Sequence, residues 1–440
     1  MNTLMIATLS ALFAGAAIAQ PPSSAPASQP SDVPASMPCS APASQPAPPD
    51  FWHWPRMTGD WGGARTKLED AGIRLDVYYV HEYGVNVKGG RNANNAQKHS
   101  GTSDIFLTLD FEKLKFIRGG MLLMHARQQF GLNVNPFVGA LSDPIDDADD
   151  DKSIYIDQLW YQHAFFGRKV QWRIGYLDFQ TIVDRNAFAN SEDIQFMNTM
   201  LDNNNVAAVP LPIGLGTAVF IDPTEWLGFV LGAADGAAQL YRDGFRTTFH
   251  DGMDFFGFFQ TDLRLKFRSP RGDLPGTYRF GTVYDPRPKA VFEPRPAGVN
   301  LPPDMERDDV GFYLSFDQLL YRESPRDMQG LGVFFRYGFR HGEVNRIVHS
   351  WSAGFQYLGL IPTRNEDALG VGVYQLSSSD DFRRIRSPLF WGETGGELYY
   401  RIQLTPWLAI TPDIQYIADP GGLRSARDAL VFALRARIAL

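Results

Sequence analysis

From Ile73 onwards, apolar and polar residues alternate with a period of two. Over residues 331–340, Leu331, Val333, Phe335, Tyr337 and Phe339 share one face, and Gly332, Phe334, Arg336, Gly338 and Arg340 share the other. Successive side chains of a strand point to opposite faces, so this segment has one greasy wall and one wall of glycine and arginine. The same partition sets Leu398, Tyr400, Ile402 and Leu404 against Glu397, Tyr399, Arg401 and Gln403. It sets Leu408, Ile410, Ile414 and Tyr416 against Ala409, Thr411, Asp413 and Gln415. Leu263, Leu265 and Phe267 alternate with Arg264, Lys266 and Arg268, and Leu430, Phe432, Leu434 and Ile438 with Val431, Ala433, Arg435 and Arg437.

Such runs, bounded by Gly, Pro, Asn or Asp, predict about sixteen strands. They start near residues 73, 102, 120, 154, 170, 213, 226, 255, 276, 309, 330, 349, 369, 393, 407 and 428. Long polar stretches at 132–153, 180–212 and 286–308 are mixed with short turns such as Leu404-Thr405-Pro406. Sixteen apolar faces, with no helices to cover them, exceed what one sandwich interior can hide. Lipid against the greasy face and water inside the polar one removes the surplus. The expected fold is therefore all-β, a transmembrane antiparallel β-barrel of about 16 strands. A short N-terminal helix is expected at 65–71, ended by Gly72 and capped by Thr58 or Asp60.

Composition narrows the function. The 440 residues carry 41 Lys and Arg against 49 acids, a net charge of −8, which argues against a nucleic-acid partner. One cysteine excludes an internal disulfide framework and a Cys-based zinc cluster. Forty-one Gly with 13% aromatic residues suit strands and tight turns.

Residues 1–19 read as a secretory signal, with Ala17-Ile18-Ala19 as the cleavage pattern and an apolar run short of the ~20 residues needed to span a bilayer. Residues 20–50 hold 10 Pro, 7 Ser and 6 Ala and read as a disordered tether, with Cys39 an incidental thiol. The barrel domain is expected over 51–440.

Thr58-Gly59-Asp60-Trp61-Gly62-Gly63-Ala64-Arg65-Thr66-Lys67-Leu68 and the closing stretch Leu404-Thr405-Pro406-Trp407-Leu408, Thr411-Pro412-Asp413-Ile414-Gln415-Tyr416-Ile417 and Asp419-Pro420-Gly421-Gly422 resemble the signatures of the OprB-type carbohydrate-selective porins. Leu159-Trp160-Tyr161-Gln162 and Arg173-Ile174-Gly175-Tyr176-Leu177-Asp178 match in kind, so the resemblance runs from about Trp54 to Leu440. It implies a sixteen-stranded barrel in the outer membrane of a Gram-negative-type bacterium. Mono- or oligosaccharides would diffuse through it into the periplasm, with outer-membrane lipid and the barrel-assembly machinery as partners. Homo-oligomer formation is left open. The chain finishes on Leu440 where outer-membrane strands usually finish on Phe.

A neutral polyol both donates and accepts hydrogen bonds, so a sugar pore needs donors, acceptors and an aromatic face. The inward faces offer Arg127, Arg173, Arg264, Arg336, Arg340, Arg401, Arg435 and Arg437 as donors. Asp110, Asp157, Asp317, Glu397, Asp413 and Gln415 are the candidate acceptors, and Trp160 the candidate stacking plane. Tyr399, Tyr400, Trp391, Trp407, Tyr416 and Trp226 are candidates for interfacial girdles. Asp143, Asp146, Asp147, Asp149, Asp150 and Asp151 lack the Asp-x-Asp-x-Asp-Gly calcium spacing, and read as a solvated or inward-folded loop. Neither Gly-x-Ser-x-Gly nor His-Glu-x-x-His occurs. No catalytic residue, metal or cofactor is expected. His125 and His341, on or near strands, read as structural. The competing readings are a barrel-borne enzyme modifying lipid or sugar, and a barrel for polysaccharide export.

Overall fold

The computed structural model describes residues 50–148, 152–202, 213–236, 254–294, 302–325 and 327–440. The expected leader and all of the tether but Asp50 lie outside these residues. Sixteen antiparallel strands close into one barrel. The first eight are β1 Ile73–Lys88, β2 Gln97–Asp110, β3 Gly120–Gly131, β4 Lys152–Phe165, β5 Val170–Asp178, β6 Ile213–Ile221, β7 Leu227–Asp235 and β8 Phe255–Ser269. The second eight are β9 Gly272–Asp285, β10 Asp309–Arg322, β11 Gly330–Phe339, β12 Ile347–Leu358, β13 Ala368–Ser378, β14 Thr394–Thr405, β15 Leu408–Ala418 and β16 Ala429–Ala439. Each strand pairs with its sequence neighbour, and β16 closes on β1 with Glu82 opposite Arg435. Closure leaves no unpaired sheet edge in lipid. Every expected start has its strand; β2 and β9 begin four or five residues early, at Gln97 and Gly272.

Burial is inside out. Phe280, Phe312, Leu398, Phe432 and Leu434 are each more than 40% exposed on the outer face, whereas Arg340 and Arg435 are fully buried and Glu397 is 3% exposed. A soluble protein would reverse this order; a lipid-facing wall requires it.

At the short-turn end, helix α1 (Ala64–Ala71) stops at Gly72, whose φ of 98° suits glycine. Its N-cap is Gly63 rather than Thr58 or Asp60. Asp60 still serves the helix, since its Oδ1 accepts from the Thr66 N–H at 2.9 Å and hydroxyl at 2.8 Å. Arg65 lies 4.1 Å from the Trp61 ring centre and donates to the Gly59 carbonyl at 2.8 Å and the Leu440 carbonyl at 3.2 Å. The helix thus fastens the chain beneath the β1–β16 seam.

Two long loops fold into the barrel. Loop L2 follows β3 and is described over residues 132–148, and loop L3 follows β5 and is described over 179–202. Val134, Val138 and Ile145 of L2 and Met197 of L3 pack on Ile417, Ala429 and Val431. Phe196 and Leu201 of L3 pack on Phe334, Tyr374 and Tyr399, and Phe179 and Ile182 on Phe256 and Phe258. Glycines on the inner wall make room for these rings. A Cβ at Gly332 would stand 2.1 Å from Phe188, and one at Gly372 2.7 Å from Leu201.

Of the girdle candidates, Trp226 and Tyr416 are exposed on the outer surface. Trp391 is held between Arg383 and Arg424, 3.8 and 3.6 Å from its ring centre. Trp407 instead lies buried at the short-turn end under Phe51 and Trp52. Tyr399 corrects the girdle expectation, because it points inward and meets Phe196 edge-on at 5.0 Å.

Candidate channel eyelet

The inward side chains divide by what they touch. On the wall built from β11 to β16, most grip the main chain of the two loops. Arg336 Nε donates to Asp184 Oδ2 at 2.7 Å, Nη1 to the Leu201 carbonyl at 3.1 Å, and Nη2 to the Ala189 carbonyl. Arg435 donates to the carbonyls of Glu192 and Gln195. Glu397 accepts the N–H groups of Met197 and Asn198 at 2.7 and 2.9 Å. Gln415 donates to the Pro144 carbonyl at 2.7 Å and to Asp413 at 3.0 Å. Arg401 reaches the Ile194 carbonyl at 3.3 Å, and Arg437 the Asp193 carboxylate at 2.5 Å. On β9 and β10, Asp317 pairs with Arg279 at 2.5 Å, and Arg279 donates to the Arg185 carbonyl. Buried carbonyls and N–H groups of a loop need partners, and these side chains supply them.

Arg279 and Glu393 are anchors that were not among the expected residues. Glu393, just before β14, accepts from the N–H groups of Leu141, Ser142 and Gly421 at 2.6, 2.9 and 2.9 Å and from the Tyr374 hydroxyl at 3.0 Å. Burial pushes its pKa up, against the pull of these donors. It stands at the expected strand start with the parity of Glu397, but ahead of the residues where apolar and polar positions alternate.

On the wall from β1 to β5 the charged side chains bind one another and loop carboxylates instead, although Asn86 reaches the Phe137 carbonyl of L2 at 3.4 Å. Between this wall and the inner edges of L2 and L3 lies a cavity of about 510 Å³, in the range of small-ligand sites. A chain of charges runs along the wall. Asp157 Oδ2 stands 3.0 Å from His125 Nδ1, and His125 Nε2 lies 2.7 Å from Asp104 Oδ1. Arg127 Nε donates to Asp104 at 2.7 Å, its Nη2 donates to Glu192 at 2.9 Å, and its Nη1 stands 3.4 Å from Asp147. Tyr78, Phe106 and Tyr155 add aromatic surface. Eight carboxylates line the cavity, from Asp104, Asp146, Asp147, Asp157, Asp178, Glu192, Asp193 and Asp202, against Arg127 and His125. In the loops, burial pushes the carboxyls of Asp147, Glu192 and Asp202 above their usual range, with neighbouring carboxylates adding to the shift. Asp193 is held low despite burial, by Arg437.

Of the residues expected at the lining, Arg127 and Asp157 face this cavity. Trp160 does not offer an open plane, since the Arg173 guanidinium covers its ring at 3.9 Å and Arg173 itself donates to Gln162 at 3.0 Å. Arg264 is bound to Asp222 at 2.6 Å beside the β6–β7 turn. Asp110 caps the β2–β3 turn by accepting from the N–H groups of Glu112 and Lys113 at 3.0 and 3.1 Å. Arg340, fully buried, pairs with Asp309 at 2.6 Å near the long-loop end. These last three stand apart from the cavity lining.

Asp104, His125, Glu192, Asp193 and Asp202 line the cavity and were not among the expected residues. The strand members were readable in principle, because Asp104 lies opposite Arg127 once β2 and β3 pair in register. The loop members carry no period.

A family model described as carbohydrate-selective porin, OprB family, matches residues 95–440. The match includes the closing motif and begins after the Thr58–Leu68 motif. Porin B of Pseudomonas aeruginosa is 22% identical over 420 residues, covering 86% of this chain and 90% of that protein. A putative porin, QuiX, of Acinetobacter baylyi is 23% identical over 431 residues, covering 88% and 94%. A high-pH structure of Pseudomonas putida OprB superposes with a TM-score of 0.80 at 21% identity, over 89% of this chain and all of that one, which shows the same fold.

Proposed function

The chain belongs to the OprB family of carbohydrate-selective porins, and on that premise we propose which part of this outer-membrane barrel meets the sugar. The path runs between L3 and the β1–β5 wall. Arg127 is the principal donor; Asp157, Asp104 and Glu192 are acceptors; Tyr78, Phe106 and Tyr155 give the apolar faces of the ring a surface. The residues of the β11–β16 wall hold the loops and set the aperture without touching the solute. Passage breaks no covalent bond, so no residue is assigned a catalytic role.

The carrying observation is the cavity itself, where a donor-acceptor chain is left unclaimed by loop main chain along one side of the lumen. Its surplus of carboxylates creates a negative field that disfavours anionic solutes and tolerates neutral sugars. Planar-bilayer recording tests this reading. A neutral hexose is expected to block the ionic current of the wild type, with the block weakened about tenfold in Arg127→Ala, consistent with losing charge-assisted hydrogen bonds. An undiminished block in that variant overturns the assignment. The Pro, Ala and Ser-rich segment before Asp50 is proposed as a periplasmic tether; sugar flux unchanged by its removal would agree.

A further inference from the structure

Calcium-type spacing is absent from the acidic stretch of L2, yet the fold brings one of its members to two acids of L3. We propose that Asp146 of L2, with Glu192 and Asp202 of L3, binds a calcium ion that ties the two loops together at the eyelet. One ligand oxygen from each of the three lies within 4.8 Å of the others. Calcium takes oxygens at about 2.3–2.6 Å, so two ligands on opposite sides of one ion are separated by roughly twice that length. The observed spread is no wider.

Asp202 is the second, independent sign. It is 1% exposed, and its Oδ1 has no hydrogen-bond partner among the described residues. An ionised carboxylate is rarely buried without a cation or a donor. The nearby guanidiniums are engaged elsewhere. Arg336 is on Asp184 and the Leu201 carbonyl, and Arg435 on the carbonyls of Glu192 and Gln195; Arg127 is divided among Asp104, Asp147 and Glu192, and Arg437 is on Asp193. The other two ligands are oriented from behind, Asp146 by the Thr199 hydroxyl at 2.7 Å and Glu192 by Arg127 at 2.9 Å. All three donors are hard carboxylate oxygens, a set that suits calcium or magnesium and not zinc or copper. Loop-borne ligands favour the ion with the looser geometry, calcium. The remaining coordination positions would be filled by lumen water.

The experiment uses the folded full barrel in detergent, stripped with EGTA and titrated calorimetrically with calcium chloride alone. One saturable site is expected, with a dissociation constant of about 10⁻⁴ to 10⁻³ M, as in extracellular calcium modules. Binding should be at least tenfold weaker in Asp202→Asn and in Glu192→Gln, and magnesium should bind more weakly than calcium. Heat-modifiable electrophoretic mobility identifies folded variants; should Asp202→Asn fail to fold, Glu192→Gln and the wild-type titration still decide. No saturable calcium uptake by the wild type overturns the proposal, as does a folded variant that binds calcium like the wild type. The site rests on the two loops alone. Calcium binding without hexose block would remove the eyelet assignment and leave the metal, and hexose block without calcium binding would do the reverse.

Discussion

The β11–β16 wall and the β1–β5 wall present similar side chains to the lumen and use them differently. Arg336, Glu397 and Arg435 on the first wall are spent on loop carbonyls and N–H groups. Arg127, Asp104 and His125 on the second bind one another beside an open cavity. An inward charge is therefore no guide to solute contact by itself. What matters is whether a folded-in loop has already claimed it. A gripped charge sets the shape of the channel, and an unclaimed one sets its chemistry.

The largest effect should come from the gripping wall. Arg336→Ala leaves the fully buried Asp184 with only Arg279, 4.0 Å away, among its described cations and removes partners from two L3 carbonyls. Breaking a buried pair costs about 3–5 kcal/mol, so thermal unfolding in detergent should fall markedly. The released loop should raise single-channel conductance. A variant with wild-type melting and conductance would erase the distinction between the walls.

Next in size, Glu393→Gln keeps the shape of the L2 anchor but weakens its charge-assisted bonds to Leu141, Ser142 and Gly421. About 1–3 kcal/mol of stability should be lost, seen as a lower melting temperature and noisier current. Beside the open cavity, Glu192→Gln of L3, recorded in calcium-free salt, should leave conductance nearly intact while reducing the preference for cations, read as a reversal-potential shift of a few millivolts to tens of millivolts in a salt gradient. Unchanged ion preference would mean that the carboxylates do not set the field at the eyelet.

The smallest effect lies in the turn that feeds the gripping wall. Asp367 accepts from Arg364 at 2.8 Å, from the Tyr400 hydroxyl at 2.9 Å and from the Gln403 N–H at 2.9 Å. Burial works to raise its pKa, but these donors hold it below the ordinary carboxylate range. A carboxyl lowered in the folded state contributes stability that is fully present above its unfolded pKa and is lost as pH falls through the folded one. Acid melting below the ordinary Asp range should therefore shift less in Asp367→Asn than in the wild type, with about 1 kcal/mol lost at neutral pH. An identical acid profile in both would place the acid sensitivity elsewhere.

Two strands show what decides where proline sits in the barrel, and the first shows why a boundary was harder to read than strand number. Gly272, Pro275 and Gly276 look like a turn, yet β9 already begins at Gly272. Pro275 pairs with Lys266 of β8, while pairing with β10 starts only at Gly276, so its missing N–H falls on an overhang. Pro412 sits inside β15 where the ladder to β14 lapses between Tyr399↔Asp413 and Ile402↔Ile410. In both cases a neighbouring strand's reach decided whether proline was tolerated.

The chain's own order of residues determined the number of strands, the face each turns to lipid and the kind of barrel they close. Alternation is a local property of extended backbone, and the lipid-facing set repeats it sixteen times. Only the tertiary structure decided that Trp160 is covered by Arg173, that Arg435 serves L3, and that Glu192 and Asp202 come to lie beside Asp146. Those meetings depend on aperiodic loops folding back across the lumen, and the partner of a buried charge is a property of that long-range placement rather than of its neighbours in sequence.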